Sequence, residues 1–415
     1  MSGPERRNQS HATNRCQPDD RASANGRGRR TLRVPAAMPV LALAACVAVP
    51  PVVHADPSDN PASDQRPEEN AEAHDSGRLD WTADFRLRYE ANSRLGEAPG
   101  YDRGVIRGRA GADYAINDRI VVSARLVTGD PDNPRTADVE IGDFASDLDI
   151  SLDRLFARYE HAGARVQGGK FPNPFRTTEL VWDGDVNPQG LSGQYALAAG
   201  DSFHLQVAGL YFAIDDALSP TRSDMLGGQV GIDWIPGAHW KVSLALAYYD
   251  YDIPKIEPGL PGGARGNAVA TDGVTYLSDF NLVEQTVSAT YLGFGDQWPL
   301  QVSADYVVNR GAAVPGDTGY ELSVDAGHLD RPGAMKVRYA YSQAETDAVL
   351  GLFSNDNIPL PTNYRLHALS FDYALVERVY LGLTHYHFRQ KDVVDPSTSL
   401  GDWADRTRLN LYFIF

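Results

Sequence analysis

The chain has 415 residues, 42% apolar and 10% aromatic, with a formal charge of −17. It is long enough for one large domain or two ordinary ones, too apolar for wholesale disorder and too acidic to favour a nucleic-acid partner. Glycine (38) and tyrosine (20) are plentiful while methionine (4) and cysteine (2) are scarce, a balance that suits strands joined by turns better than packed helices.

Residues 1–55 read as an export leader. A basic stretch (Arg27, Arg29, Arg30, Arg33) runs into an uncharged segment from Val34 to Val53, closed by Val53-His54-Ala55 as a small-residue cleavage site. The part ahead of the basic stretch is long for a signal peptide, and a misassigned start codon is one reading of it. Pro35, Pro39, Pro50 and Pro51 interrupt the apolar segment, so a retained transmembrane helix is the weaker alternative. Leu43-Ala44-Ala45-Cys46 also resembles a lipoprotein processing box that would lipidate Cys46, in competition with cleavage at Ala55. Both cysteines, Cys16 and Cys46, fall in the leader, and its removal takes away disulfides, thiol catalysis and thiolate metal sites together. Residues 56–77 are acidic, proline-containing and poor in apolar side chains, the composition of a disordered tether.

Residues 78–415 carry a different signal, strict alternation. Trp81, Ala83, Phe85, Leu87 and Tyr89 share one parity, while Asp80, Thr82, Asp84, Arg86, Arg88 and Glu90 share the other. The pattern recurs at Ile106 to Tyr114, Val242 to Tyr248, Leu300 to Val308 and Met335 to Tyr341. These segments run to about nine to twelve residues, the length a tilted strand needs to cross a bilayer. Backbone groups in lipid must all be paired, so such strands span only as a closed barrel, with the apolar parity toward lipid and the polar parity toward a lumen. The expected fold is an all-β transmembrane antiparallel barrel of about sixteen strands, an even count as single-chain bacterial barrels require.

The connections alternate as well. Short ones fall at Asn117-Asp118, His161 to Ala164, Ala198 to Asp201, Pro236 to Ala238, Gly295 to Gln297, Asp330 to Gly333 and Val376 to Arg378; long ones lie between them. Short periplasmic turns and long external loops, with both termini on the periplasmic side, give this alternation. The chain ends with Leu409, Leu411, Phe413 and Phe415 on one parity. Phe413 and the terminal Phe415 resemble the signal read by the outer-membrane assembly machinery. Trp234 and Trp240 flank a short turn and suit an aromatic belt.

Three stretches carry a family likeness: ARLVTGD from Ala124, SLDRLFARYEH from Ser151 and GGKFPNPFRTTELVWDGDVNPQGL from Gly168. They resemble the putative porin family of proteobacterial outer-membrane barrels and, more distantly, the alginate-export type of barrel. The likeness is close over roughly residues 119 to 197. It implies an outer-membrane channel in contact with lipid and small hydrophilic solutes, with a homotrimer as one allowed assembly, and it names no solute, cofactor or metal. The alternative it leaves open is a substrate-specific channel or a polysaccharide exporter.

Inward-parity arginines cluster on neighbouring strands: Arg86, Arg88, Arg107, Arg109, Arg125, Arg154 and Arg158, with Arg406 and Arg408 on the closing strand. The loop after the fifth strand carries Glu179, Asp183 and Asp185. In sixteen-stranded general porins, which this architecture resembles, the corresponding loop folds into the barrel. The expectation is therefore a constriction between a basic wall and these acids, which would attract ions and orient dipolar solutes without holding them. The plainer alternative pairs the arginines with Asp84, Glu90, Asp113 and Asp153 in lumenal networks. Asp183-Gly184-Asp185-Val186-Asn187 resembles the start of a calcium loop but has Pro188 in place of the sixth-position glycine and Gln194 in place of the closing glutamate. A barrel hydrolase would need a serine activated by His204, His367, His385 or His387, and neither GxSxG nor HExxH occurs. The expectation is a channel and not an enzyme.

Overall fold

The computed structural model describes residues 77–142, 148–215, 222–256, 264–295, 297–392 and 401–415; the leader and almost all of the tether lie outside the described residues. The strands are β1 (Leu79–Asn92), β2 (Tyr101–Asn117), β3 (Ile120–Thr128), β4 (Val139–Ile141), β5 (Ile150–His161), β6 (Ala164–Lys170), β7 (Gln189–Ala198), β8 (Phe203–Asp215) and β9 (Ser223–Trp234). They continue as β10 (Trp240–Asp252), β11 (Phe280–Tyr291), β12 (Leu300–Asn309), β13 (Thr318–Gly327), β14 (Met335–Ala344), β15 (Tyr364–Val376), β16 (Val379–Gln390) and β17 (Ala404–Ile414).

Each long strand pairs antiparallel with its neighbours, and β1 pairs with both β2 and β17, which closes the sheet into a sixteen-stave barrel. The short β4 is an extra piece: it lies in the loop between β3 and β5 and pairs with Gly104 to Ile106 at the loop end of β2. The stave boundaries match the period-two reading because one parity had to face lipid on every strand. At the seam Phe85 opposes Phe413, with ring centroids 6.0 Å apart, and the Phe415 amide donates to the Ala83 carbonyl.

Burial is inverted relative to a water-soluble domain. Leu87, Leu191, Leu226, Leu246 and Val302 are exposed, while Arg86, Arg107, Glu284 and Asp305 are buried. The exposed face is the one a bilayer would cover. Trp81, Tyr114, Tyr195, Trp234, Trp240 and Trp298 stand exposed near the short-turn end, and Tyr89, Tyr248, Tyr306 and Tyr339 toward the loop end, two girdles of amphipathic rings.

One expectation needs correction. The inward parity is not polar all round. On β8 to β12 it presents Leu210, Phe212, Met225, Tyr249, Tyr251, Phe280, Leu282 and Val307, all buried. The reason lies in two long connections, residues 171–188 and 345–363, which fold against this wall and contribute Phe175, Leu180, Trp182, Leu350 and Phe353 to the same apolar cluster. Trp182 and Phe353 stack at 5.8 Å, so the two loops also pack on each other. The barrel encloses a core on one side and polar side chains on the other.

Candidate functional site

The polar side is built by register. Arg86 stands opposite Arg107, and Glu90 stands opposite Arg103 on one neighbour and Arg408 on the other. Glu90 accepts from Arg103 Nε and Arg408 Nε, each at 2.8 Å. Arg109 Nε donates to Asp84 at 2.8 Å, and Arg107 Nη2 lies 3.3 Å from the same carboxylate. Arg88 donates from Nε to Asn410 and from Nη1 to Asp138, both at 2.7 Å, and Arg86 also binds Asp138. The arginines of β1, β2 and β17 outnumber Asp84, Glu90 and Asp138, so this wall keeps a positive surplus.

The facing side is loop 171–188, held to the opposite wall by polar anchors. Arg176 makes a two-pronged pair with Asp233, both bonds 2.8 Å, and exchanges backbone hydrogen bonds with the Gln229 side chain. The Thr177 and Thr178 hydroxyls donate to Glu284 at 2.7 Å and Asp305 at 2.5 Å. Gly227 leaves room for the Phe175 ring, which a Cβ there would meet at 2.7 Å. Where the chain returns to β7, Gly190 has a φ of +152°, and a Cβ would fall 2.1 Å from the Tyr211 carbonyl.

These anchors aim the far end of the loop at the arginines. Between them lies a gap of about 160 Å³ lined by Arg88, Arg103, Arg406 and Arg408 against Glu179, Asp183, Asp185 and Asp356, with Asp138 on the wall side and Asn357 at its edge. Arg109 Nη1 comes within 3.8 Å of Asp185 Oδ1. Asn357 bridges the two faces: Arg408 Nη1 donates to its side-chain oxygen at 2.6 Å, Arg406 Nη1 to its carbonyl at 2.8 Å, and its own amide lies 3.5 Å from Glu179 Oε2. Asp183 Oδ1 accepts the Asp185 amide at 2.8 Å and its Oδ2 has no hydrogen-bond partner among the described residues. Burial pushes the Asp183 carboxyl well above the ordinary range, and the negative charge of Asp356, Glu179 and Asp185 pushes it further. Burial also raises Asp185, against the pull of Arg107 and Arg109.

Residues 90–259 match the model of a family described as "Putative porin". The barrel is similar in fold to two solved structures. One is OprB of Pseudomonas putida at high pH (15% identity, TM-score 0.53, 81% of this chain and 94% of that one). The other is OmpF of Salmonella typhi in complex with daunomycin (11% identity, TM-score 0.50, 82% and 98%). No curated protein matches the chain.

In this barrel the residues singled out from sequence separate into two sets. Arg88, Arg406, Arg408, Glu179, Asp183 and Asp185 line the gap; Arg86, Arg107 and Arg109 stand on the same wall beside it. Arg125, Arg154 and Arg158 do not line it. Arg125 binds Asp153 at 2.6 Å, Arg154 holds the Asn187 side chain at 2.8 Å, and Arg158 lies near the short-turn end, 3.1 Å from Glu160 and 3.7 Å from Asp113. The Asn187 side chain is turned to Arg154 and Asp153, away from Asp183. Sequence reading missed Arg103, Asp138, Asp356 and Asn357. Arg103 shares the inward parity of Arg107 and was within reach of the alternation rule; the others sit in irregular loops, where no period places a side chain.

Proposed function

We propose that this chain is an outer-membrane porin, a passive channel for small hydrophilic solutes, with its constriction at the gap between the arginine wall and loop 171–188. The single observation that supports the constriction is the apposition of Arg88, Arg406 and Arg408 with Glu179, Asp183 and Asp185 across about 160 Å³. Opposite charges across a narrow passage with low-dielectric walls set up a field transverse to the path, which attracts ions of either sign and aligns dipoles without a deep binding well.

The test is single-channel recording in a planar bilayer, with reversal potentials across a salt gradient, on the wild type and on Asp183→Asn/Asp185→Asn. The double variant should shift the reversal potential toward anion preference. Unchanged current and unchanged selectivity would remove the constriction, and absence of any stable conductance would remove the channel.

A further inference from the structure

The outer surface of the barrel is not apolar up to its rim. On β14 to β17 the outward row through Val337, Phe371, Leu383 and Leu409 is the last wholly apolar one, as the pairings Val337↔Phe371, Phe371↔Leu383 and Leu383↔Leu409 show. The next row toward the loops mixes Leu369 with Tyr339 and His385; beyond it come His367 and His387, then Arg365 and Arg389, the last two paired across β15 and β16. These side chains form one connected patch. Tyr339 Oη lies 2.8 Å from His367 Nδ1, and His387 stacks on Trp403 at 4.3 Å with the rings 7° apart. The Arg389 guanidinium lies 4.9 Å above Trp403, and its Nε is buried with no hydrogen-bond partner among the described residues. The one acid on the outward faces of these four strands is Asp405, bonded to His387 at 2.7 Å. The outward rim of β8 to β10 has the opposite character, with Asp215, Asp224, Asp250 and Asp252.

We infer that the patch on β14 to β17 is a binding site for the phosphate of an anionic lipid headgroup. The argument is one of depth and charge. Cations placed just past an apolar band and beside the aromatic girdle stand where headgroups lie, and guanidinium matches phosphate in charge and in hydrogen-bond geometry. Trp403 and Tyr339 supply flat amphipathic surface at the same level. Arg389 is already packed on Trp403, and its Nε has no hydrogen-bond partner among the described residues. The acidic rim across the barrel repels the same headgroup, so the site is local.

The test is native mass spectrometry of the full chain in neutral detergent, titrated with phosphatidylglycerol or with phosphatidylcholine of the same acyl chains. Wild type should prefer phosphatidylglycerol, and Arg365→Gln/Arg389→Gln should lose that preference by roughly tenfold or more, the scale expected for cations at an anionic surface. Arg222→Gln, which removes a cation from the acidic rim, should keep it. The single variant Arg389→Gln, and heat-modifiable gel migration of each protein, separate lost binding from lost folding. Retained preference in the double variant overturns the inference. So does equal displacement by inorganic phosphate at the lipid's concentration, which would make the site one for free anions. Conversion of an oligomer to monomers with lipid preference intact would make the patch a protein interface and overturn it as well.

Discussion

Arg408, on the strand that closes the barrel, donates to the side-chain oxygen of Asn357 at 2.6 Å, so a residue of loop 345–363 is fastened directly to the arginine wall. A hydrogen bond to a charged group contributes about 1.5–3 kcal/mol, and Asn357→Ala removes it together with the approach to Glu179. The expected result is a wider gap and a larger single-channel conductance, with normal heat-modifiable migration. Conductance equal to wild type would mean that Asn357 does not bound the path.

The wall and the loop should act with opposite sign. Arg406→Gln/Arg408→Gln lowers the positive surplus on the wall and should move the reversal potential toward cation preference, opposite to Asp183→Asn/Asp185→Asn. A shift in the same direction for both pairs would show that the selectivity is set elsewhere.

Acidification should change selectivity before ordinary surface carboxylates titrate, near pH 4. Asp183 and Asp185 sit above that range because burial disfavours their charged form. The folded state therefore binds these protons more tightly than the unfolded chain does. Their ionisation costs stability above the folded titration point, and that cost disappears as pH falls through it toward the unfolded value. Cation preference should drop over the same interval, and Asp183→Asn should flatten the step. A wild-type profile with no change above the ordinary carboxylate range would contradict the burial argument.

The inverted burial predicts where charge is tolerated. Leu246 stands midway along β10 on the exposed face. Leu246→Arg should destabilise the barrel in lipid by about 2–4 kcal/mol, the cost of a cation near the bilayer midplane, read from refolding titrations into vesicles. A cost near zero would place this face away from hydrocarbon.

Trp182 is fully buried between Phe212 and Phe353. Trp182→Ala should cost about 3–5 kcal/mol of packing and loosen both loops, so that conductance becomes larger and noisier while the strands still close. A silent variant would mean that the loops are held by their polar anchors alone.

The staves were legible because lipid imposes one rule on every strand. Leu87, Leu246 and Val302 had to face outward, and their period fixed both the parity and the boundaries. The arginines of β1, β2 and β17 followed from the same rule. It could not tell which of them share a gap: Arg125 and Arg88 have the same parity, and only the paths of the loops separate them. The apolar inner wall was hidden for a related reason. Phe212, Tyr249 and Leu282 lie on the inward parity, and nothing in a period of two reports that Trp182 and Phe353, from chain segments far apart, come to cover them. Nor does alternation place Asp138, Asp356 or Asn357.

The join between the first and last strands is sewn from inside by the groups that bound the gap. Arg408 to Glu90, Arg406 to Asn92 and Arg88 to Asn410 each tie β1 to β17, residues more than 300 positions apart in the chain. The clasp thus uses the same guanidiniums as the proposed constriction. An exchange of Arg88, Arg406 or Arg408 that retuned the proposed constriction would therefore also alter how firmly the cylinder shuts.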